Sequence, residues 1–387
     1  LSPLRILFLA PQPFFEVRGT PLAVLSLVKV LAGLGHRVDL LSYPQGEPVA
    51  VPGLRHHRSL PLPVGRVRPG PSLAKLLLDG PFLFEAALRL ALGRYDVVHA
   101  VEEAAHLIAP LARLLGVPLL ADVDSSIPDQ LRESGFATRG PLLWAARALE
   151  RHALRHAAAV VTVCTSLSDG VRARVPGARV VQIEDPPLVD ATEPAPTEVA
   201  ALRAELGLGP GPVVLYTGNF EPYQGVDLLL AAAALVTEAQ FLLVGGEADE
   251  IAALRACAAD AGARTVFAGR RPPAALPALI ALADVLVSPR RQGVNTPFKL
   301  YTYLASGKPL VATRLPTHTQ LLDDTLALLV EPTGEGLAAG IRQALADRPA
   351  AEARAARGRA LIEAGYSRAR YAEKVEALYR DVAARRL

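Results

Sequence analysis

Short apolar runs with the length of buried strands recur along the chain, and longer stretches with helical periodicity separate them. In the first half these runs read RILFLA, RVDLLS, DVVHAV, PLLADV, AVVTVC and RVVQIE; in the second they read PVVLYTG, AQFLLVGG, TVFAGR, DVLVSP, PLVATR and ALLVEP. Strands alternating with Ala- and Leu-rich helices predict parallel sheets with right-handed crossovers, built twice. The expected fold class is α/β, with two facing doubly wound domains. Ligands on such sheets bind beyond the carboxyl ends of the strands, which predicts a deep interdomain cleft as the natural site.

After Asp185 the segment PPLVDATEPAPTE is rich in Pro and polar residues and reads as a connection. The organisation expected is a first domain over 1–190, a Pro-rich linker over 191–210 and a second domain over 211–366. A final amphipathic helix over 367–387 can cross back to the first domain.

The 387 residues, 51% of them hydrophobic, are enough to bury two cores rather than one. Lys and Arg number 41 against 38 Asp and Glu, a near balance that gives no reason to expect nucleic acid as a partner. The two cysteines, Cys164 and Cys257, lie in separate halves in apolar contexts, which argues against a disulfide framework or a zinc cluster and for a reduced cytoplasm. The chain enters RILFLA at once, so no secretion signal is expected.

The most hydrophobic long segment, Pro71 to Leu92, contains Lys75, Asp79, Glu85 and Arg89, charges too costly for a bilayer centre, and reads as a soluble helix. Ahead of it, Arg55, Arg58, Arg66 and Arg68 cluster near Lys75. Two readings stay open there: a solvated loop, or a surface that touches anionic lipid headgroups at the inner face of a membrane.

Candidate chemistry concentrates where strands hand over to helices. In NTPFKLYTYLASGKPLVAT, the turn residues Asn295, Thr296 and Pro297 can start a helix with Lys299 in its first turn, and Gly307 with Pro309 can end it. A phosphate held at such a start meets both the helix dipole and a lysine. Strand DVLVSP ends at Arg290 and Arg291, and these two with Lys299 place three cations around one connection, enough to neutralise a pyrophosphate. Lys299 and Arg290 are the preferred pair. The loop after PVVLYTG, bracketed by Gly218 and Gly225, carries Asn219, Glu221 and Gln224 at the ligand edge of the sheet. Near the start of the chain, Gly19 lets a backbone approach a phosphate, and Thr20 can cap the helix beginning near Leu22.

The first half offers acids and histidines instead. DVVHA ends at His99 and is followed by Glu102, Glu103 and His106, while PLLADV leads to Asp122, Asp124, Ser125 and Ser126. Carboxylates at strand ends can activate or orient a hydroxyl group. The same residues also suit helix caps and first-turn acids, and His99 equally suits a satisfied core histidine. His318, in PTHTQ, reads as exposed.

With these elements assembled, nearly the whole chain resembles the nucleotide-sugar glycosyltransferases of the GT-B fold, most closely the retaining family 4. RGTPLAVLSLVKVLAGLGHRVDLLS is similar to the family's opening pattern, with Gly19 as its second glycine and Gly35-His36 as its later pair; Arg18 stands in place of the first glycine. YTGNFEPYQGVDLLLAA is similar to the opening of the family's second domain, and KLYTYLASGKPLVAT to its donor-binding helix and following strand. The resemblance implies two Rossmann-like domains whose closure joins donor to acceptor, and a nucleotide diphosphate sugar as donor substrate with no other cofactor and no metal ion. It implies hexosyl transfer to a hydroxyl acceptor, lipid-linked acceptors included, in glycan, glycolipid or polysaccharide biosynthesis. Donor contacts fall on Gly19, Thr20, Gly218, Asn219, Gln224, Gly293, Asn295, Thr296 and Thr302, with Lys299 and Arg290 on the leaving group. Asp124 and Glu103 then orient the acceptor or stabilise charge on the sugar ring.

The departures from the family pattern are specific. Asn219 and Gln224 stand where the family commonly has an arginine and a lysine for the pyrophosphate. Gln292 and Thr302 stand where two glutamates are expected near donor sugar and ribose, and Asp124 stands for a histidine. Arg290, Lys299, Arg18 or Arg271 must then supply the missing positive charge, and Thr302 is expected to bond a ribose hydroxyl. Two rival readings follow from these replacements: a nucleotide-sugar epimerase or hydrolase, and a non-catalytic binding or scaffolding protein.

Overall fold

The computed structural model describes residues 3–16, 19–65, 67, 72–133, 139–189, 193–257 and 264–385. The chain forms two compact units, Leu1–Glu184 with Ala369–Leu387, and Asp185–Arg368.

Unit 1 begins with β1 (Arg5–Ala10), α1 (Gly19–Gly33), β2 (Arg37–Ser42), β3 (Leu54–Arg58) and α2 (Leu73–Leu92). It continues through β4 (Val97–Val101), α3 (Glu103–Leu114), β5 (Leu119–Val123), α4 (Ile127–Glu133), α5 (Pro141–His156), β6 (Ala159–Thr162), α6 (Thr165–Arg174) and β7 (Val180–Gln182). The strands pair in the order β3-β2-β1-β4-β5-β6-β7, and every pairing is parallel. Alternation along β1 shows how this sheet is buried on both faces. Ile6, Phe8 and Ala10 join one core with α1, while Leu7 and Leu9 join another with α2 and α3.

Unit 2 runs α7 (Pro196–Glu205), β8 (Val213–Thr217), α8 (Val226–Leu235), β9 (Gln240–Val244), α9 (Ala248–Cys257), β10 (Thr265–Gly269) and α10 (Leu276–Leu282). It continues with β11 (Val285–Ser288), α11 (Lys299–Ala305), β12 (Leu310–Thr313), α12 (Pro316–Thr319), β13 (Leu328–Val330), α13 (Gly334–Ala346) and α14 (Arg348–Leu361). Its strand order is β10-β9-β8-β11-β12-β13, again all parallel. Val213 and Leu215 face one core, and Val214 and Tyr216 the other. In both sheets the order reverses beside the first strand of the unit, so each has a switch point: β1/β4 in unit 1 and β8/β11 in unit 2.

Part of the segment expected as a linker is helical. Pro196 opens α7 at a position where its missing N–H costs nothing, and Val199 and Leu202 pack against the core of unit 2. The last helix, α15 (Arg368–Ala384), lays Tyr371, Val375, Leu378, Tyr379 and Val382 on the α1 side of the unit 1 core. That spacing is one helical face.

Candidate active site

In unit 2 the site is built at the switch point. β8 ends at Thr217, whose N–H donates to the Tyr303 hydroxyl at 2.8 Å, and the chain then turns through Gly218 at φ +146°. A Cβ on Gly218 would lie 2.8 Å from Lys299 Nζ and 3.0 Å from the Tyr216 hydroxyl, so only glycine leaves this approach open. Gly225, at φ +71°, lies so close to the end of β11 that a Cβ there would strike the Pro289 carbonyl. This contact packs the Asn219–Gln224 loop against the segment that carries Arg290.

Lys299 opens α11, a helix of seven residues with no side-chain cap. Its ammonium lies 3.8 Å from the centroid of the Tyr216 ring and donates to Gln224 Oε1 at 3.3 Å. Arg290 is 6% exposed; its Nη1 donates to the Asn295 carbonyl at 3.0 Å and to Thr317 Oγ1 at 2.9 Å. Its Nε is buried with no hydrogen-bond partner. Tyr223 lies beneath the guanidinium, 5.5 Å away. No carboxylate among the described residues pairs with either cation. Burial, with Arg290 nearby, holds the Lys299 pKa well below the ordinary lysine range, and burial also lowers that of Arg290. Two enclosed cations of like sign with no acid partner among the described residues can accept an external anion.

His318 supports this arrangement from below. Contrary to the exposed reading, it is fully buried in α12, because that short helix packs under the ends of β11 and β12. Its Nδ1–H donates to the Thr313 carbonyl at 2.6 Å, its Nε2 accepts from Ser288 Oγ at 2.8 Å, and Thr313 Oγ1 donates to the Arg290 carbonyl at 2.7 Å. Burial pushes its pKa down to about 3, the Thr313 carbonyl opposing and the Arg290 and Lys299 charges assisting. A histidine shifted below its ordinary 6.5 contributes stability that is present above that value and lost as the pH falls toward 3. Unit 2 is therefore expected to weaken on acidification through this window, and His318→Gln to weaken less. Denaturant midpoints of both proteins across the window check this; parallel curves would remove His318 as the source.

Several sequence expectations change here. Thr302 is 2% exposed and its hydroxyl accepts from the Leu188 N–H at 2.9 Å, so it anchors chain within unit 2 instead of meeting a ribose. The reason is helix phase: every residue from Leu300 to Leu304 is buried, and α11 has no free face there. Arg291 pairs with Asp227 and Arg271 with Glu205, both in solvent-exposed ion pairs. Arg18 lies outside the described residues. Gln292 is exposed, Thr296 is buried and Asn219 is half-buried, its carbonyl accepting from the Tyr216 hydroxyl at 2.7 Å. A Cβ on Gly293 would lie 2.8 Å from Arg290 Nη1, which puts that glycine against the guanidinium.

In unit 1, α1 begins at Gly19, earlier than expected, so Thr20 lies inside its first turn and does not cap it. A Cβ on Gly19 would meet nothing within 4 Å. The carboxyl ends of β4 and β5 carry a polar cluster that includes Tyr43, Lys75 and Asp79. Lys75 Nζ lies 2.6 Å from Glu103 and 3.7 Å from Glu102, the Tyr43 hydroxyl donates to Asp79 at 2.5 Å, and Ser125 Oγ donates to Glu102 at 2.9 Å. Burial opposes the Lys75 charge, but Glu103 and Glu102 outweigh it and its pKa rises. Burial raises Asp79 despite Tyr43 and Lys75, and raises Glu103 despite Lys75, with Glu102 and Asp79 adding to the rise of Glu103. Lys75 is thus turned inward and is no headgroup ligand. Glu103 is committed to it, and Glu102, at φ +48°, takes the bend between strand and helix. Asp124 lies half-buried directly after β5.

His99 is a satisfied core histidine, with Nδ1 2.7 Å from the Tyr379 hydroxyl and Nε2 3.2 Å from Asp122. Sequence reasoning missed Tyr216, Tyr223, Thr317 and Tyr43, whose roles come from tertiary neighbours. Lys75 and Asp79 did leave a signal: a charged pair one turn apart in the apolar first half of a helix must find partners.

Comparison with known proteins agrees with this architecture. A family model described as Glycosyl transferase 4-like domain matches residues 18–185, and one described as Glycosyl transferases group 1 matches residues 211–347. The chain is 29% identical to alpha-D-kanosaminyltransferase of Streptomyces kanamyceticus over 93% of its own length and 99% of the relative's. It is 26% identical to phosphatidyl-myo-inositol mannosyltransferase of Mycobacterium leprae, with 87% and 85% covered. Among solved structures, sucrose-phosphate synthase from Thermosynechococcus elongatus superposes with a TM-score of 0.81 at 22% identity, covering 99% of this chain and 100% of the other. Anabaena HepE in complex with UDP and glucose gives 0.77 at 18% identity, with 97% and 99% covered.

Proposed function

The chain belongs to the glycosyltransferases of the GT-B fold, and from that premise we propose that it moves a sugar from a nucleotide diphosphate sugar to a hydroxyl acceptor, retaining the anomeric configuration without a metal ion. The observation that carries the donor half is the pair Lys299 and Arg290, two enclosed cations at the unit 2 switch point with no acid partner among the described residues. A diphosphate placed there supplies the missing counter-charge. As the bond from anomeric carbon to phosphate oxygen breaks, charge grows on the departing diphosphate, and fixed cations already aimed at it lower the barrier. The acceptor oxygen bonds the anomeric carbon from the same face, and its proton passes to the departing phosphate.

Gly218 gives the phosphates access to Lys299, Gln224 orients the ammonium, and Gly293, Asn295 and Thr296 form the turn around Arg290. Asn219 offers its side chain from the same loop. On unit 1, the open backbone at Gly19 and Thr20 is a proposed phosphate contact, and Asp124 a proposed orienting group for the acceptor. Glu103 acts there through the charge of its Lys75 pair. The acceptor class extends to lipid-linked glycans, in keeping with the phosphatidyl-myo-inositol in the name of the Mycobacterium leprae relative. The setting proposed is cytoplasmic, with contact at the inner face of the membrane.

Thermal melting in the presence of UDP-, GDP- and ADP-sugars, with nucleotide diphosphate release followed in the same samples, tests this reading. Stabilisation by one donor series is expected, with release that depends on an added acceptor. Release without acceptor would replace transfer by hydrolysis, and no stabilisation by any donor would favour the non-catalytic reading.

A further inference from the structure

Two lysines of this chain, Lys75 and Lys299, are both turned inward, and their surroundings treat the charge in opposite ways. In unit 1, Lys75 Nζ lies 2.6 Å from Glu103 and 3.7 Å from Glu102, and these carboxylates hold its proton against the cost of burial. In unit 2, Lys299 Nζ meets neutral groups instead: the Gln224 amide oxygen at 3.3 Å and the face of the Tyr216 ring, 3.8 Å to its centroid. An amide oxygen accepts an N–H from an amine as well as from an ammonium, so it holds the proton far less firmly than a carboxylate does.

The other titratable groups packed here do not balance the charge. β8 contributes Tyr216, the loop after it Tyr223, α11 itself Tyr303, the segment after β11 Arg290, and α12 His318. Burial keeps the Tyr216 and Tyr303 hydroxyls protonated and uncharged, with Tyr303 pushed up to about 12, and it holds the His318 ring neutral. Glu250, on α9, acts on Tyr216, and its carboxylate accepts from the Glu247 N–H at 2.8 Å. Among the described residues, Arg290 is the charge that acts on Lys299, and it has the same sign. A guanidinium does not give up its proton, so relief of this repulsion falls to the lysine. Burial first, and Arg290 second, lower the Lys299 pKa.

Building on the donor reading above, we propose that nucleoside diphosphate binding is coupled to proton uptake at Lys299. In the empty site this side chain is an amine for part of the time, and an entering diphosphate completes its protonation with a proton drawn from solvent. The diphosphate then does for Lys299 what Glu102 and Glu103 do for Lys75. Gly218 keeps the approach open, since a Cβ there would lie 2.8 Å from Nζ. The coupling spares the empty protein part of the cost of a second enclosed charge and supplies that charge when the anion arrives. Its sign is fixed. A lysine whose pKa is depressed in the empty site and raised by a bound anion takes up a proton between the two values. Affinity for the diphosphate therefore falls as the pH rises through that window, by up to about tenfold per unit.

Calorimetric titration of the full chain with UDP, GDP and ADP, in Tris and in HEPES at the same pH, counts the protons, because the heat differs between buffers in proportion to the protons exchanged. At about pH 8 a terminal phosphate, with its second pKa of about 6, is already ionised and adds no uptake of its own. The nucleotide that binds is expected to bring with it a fraction of a proton, up to about one, and to lose affinity from about pH 7.5 to about pH 9. Lys299→Arg keeps a permanent charge and Lys299→Met removes the titrating group, so each should bind with no uptake and with an affinity nearly independent of pH. The inference is overturned if the wild type binds a diphosphate with no proton uptake across this range, or if both variants fold and still take up a proton. Either result leaves the donor assignment standing, whereas no binding of any of the three nucleotides would remove that assignment and this inference together.

Discussion

Replacing Lys299 by alanine is expected to lower turnover by about two to three orders of magnitude, the range seen when a preorganised group facing developing negative charge is removed. The magnitude follows from the setting. The ammonium is enclosed, held by Gln224 and the Tyr216 ring, and has no acid to neutralise it among the described residues. In so screened a place its field falls on whatever anion enters beside Gly218, and solvent does little to weaken it. The fold should survive, because no ion pair is broken and an uncompensated charge is removed from an enclosed site. Turnover with saturating donor, alongside the melting temperature without ligand, separates the two effects. A variant with wild-type turnover would sink the assignment of Lys299 to the leaving group, and one that fails to fold would make it a structural residue.

The two sheets were legible because strands buried on both faces must be short continuous apolar runs, and the predicted runs all became strands. β3 was not legible. It is an edge strand, LRHHR, half-exposed along its length, and so lacks the apolar signature of its neighbours. The cations Arg290 and Lys299 could be picked out because charge beside an apolar strand and a short helix has few places to go. The groups that hold them could not. Tyr216 reaches Lys299, and Thr317 reaches Arg290, only because β8 lies beside β11 and α12 folds under β12, pairings no local pattern encodes. His318 misled for the same reason: its polar sequence neighbours suggest solvent, but its ring lies between Ser288 and Thr313. Thr302 misled through helix phase, and the inward turn of Lys75 depends on Glu102 and Glu103, distant in sequence.

For Arg290 the expected result is a loss of binding without a loss of stability. Its Nη1 is occupied by the Asn295 carbonyl and Thr317, which fixes the plane of the guanidinium, while Nε is buried with nothing to donate to. An unmade hydrogen bond on a buried cation costs the empty protein and is regained when an oxyanion arrives. Arg290→Lys keeps a positive charge but cannot present the planar fork, so affinity for the nucleoside diphosphate should fall by about one to two orders of magnitude. Arg290→Met removes the charge altogether. Without ligand it should melt no lower than the wild type, and the stabilisation that diphosphate gives the wild type should be largely gone. Melting with and without diphosphate, together with calorimetric titration, reads both quantities. If Arg290→Met melted lower and bound diphosphate as before, the guanidinium would be a strut between the Asn295 turn and α12, and the donor charge would have to be sought on Lys299 alone.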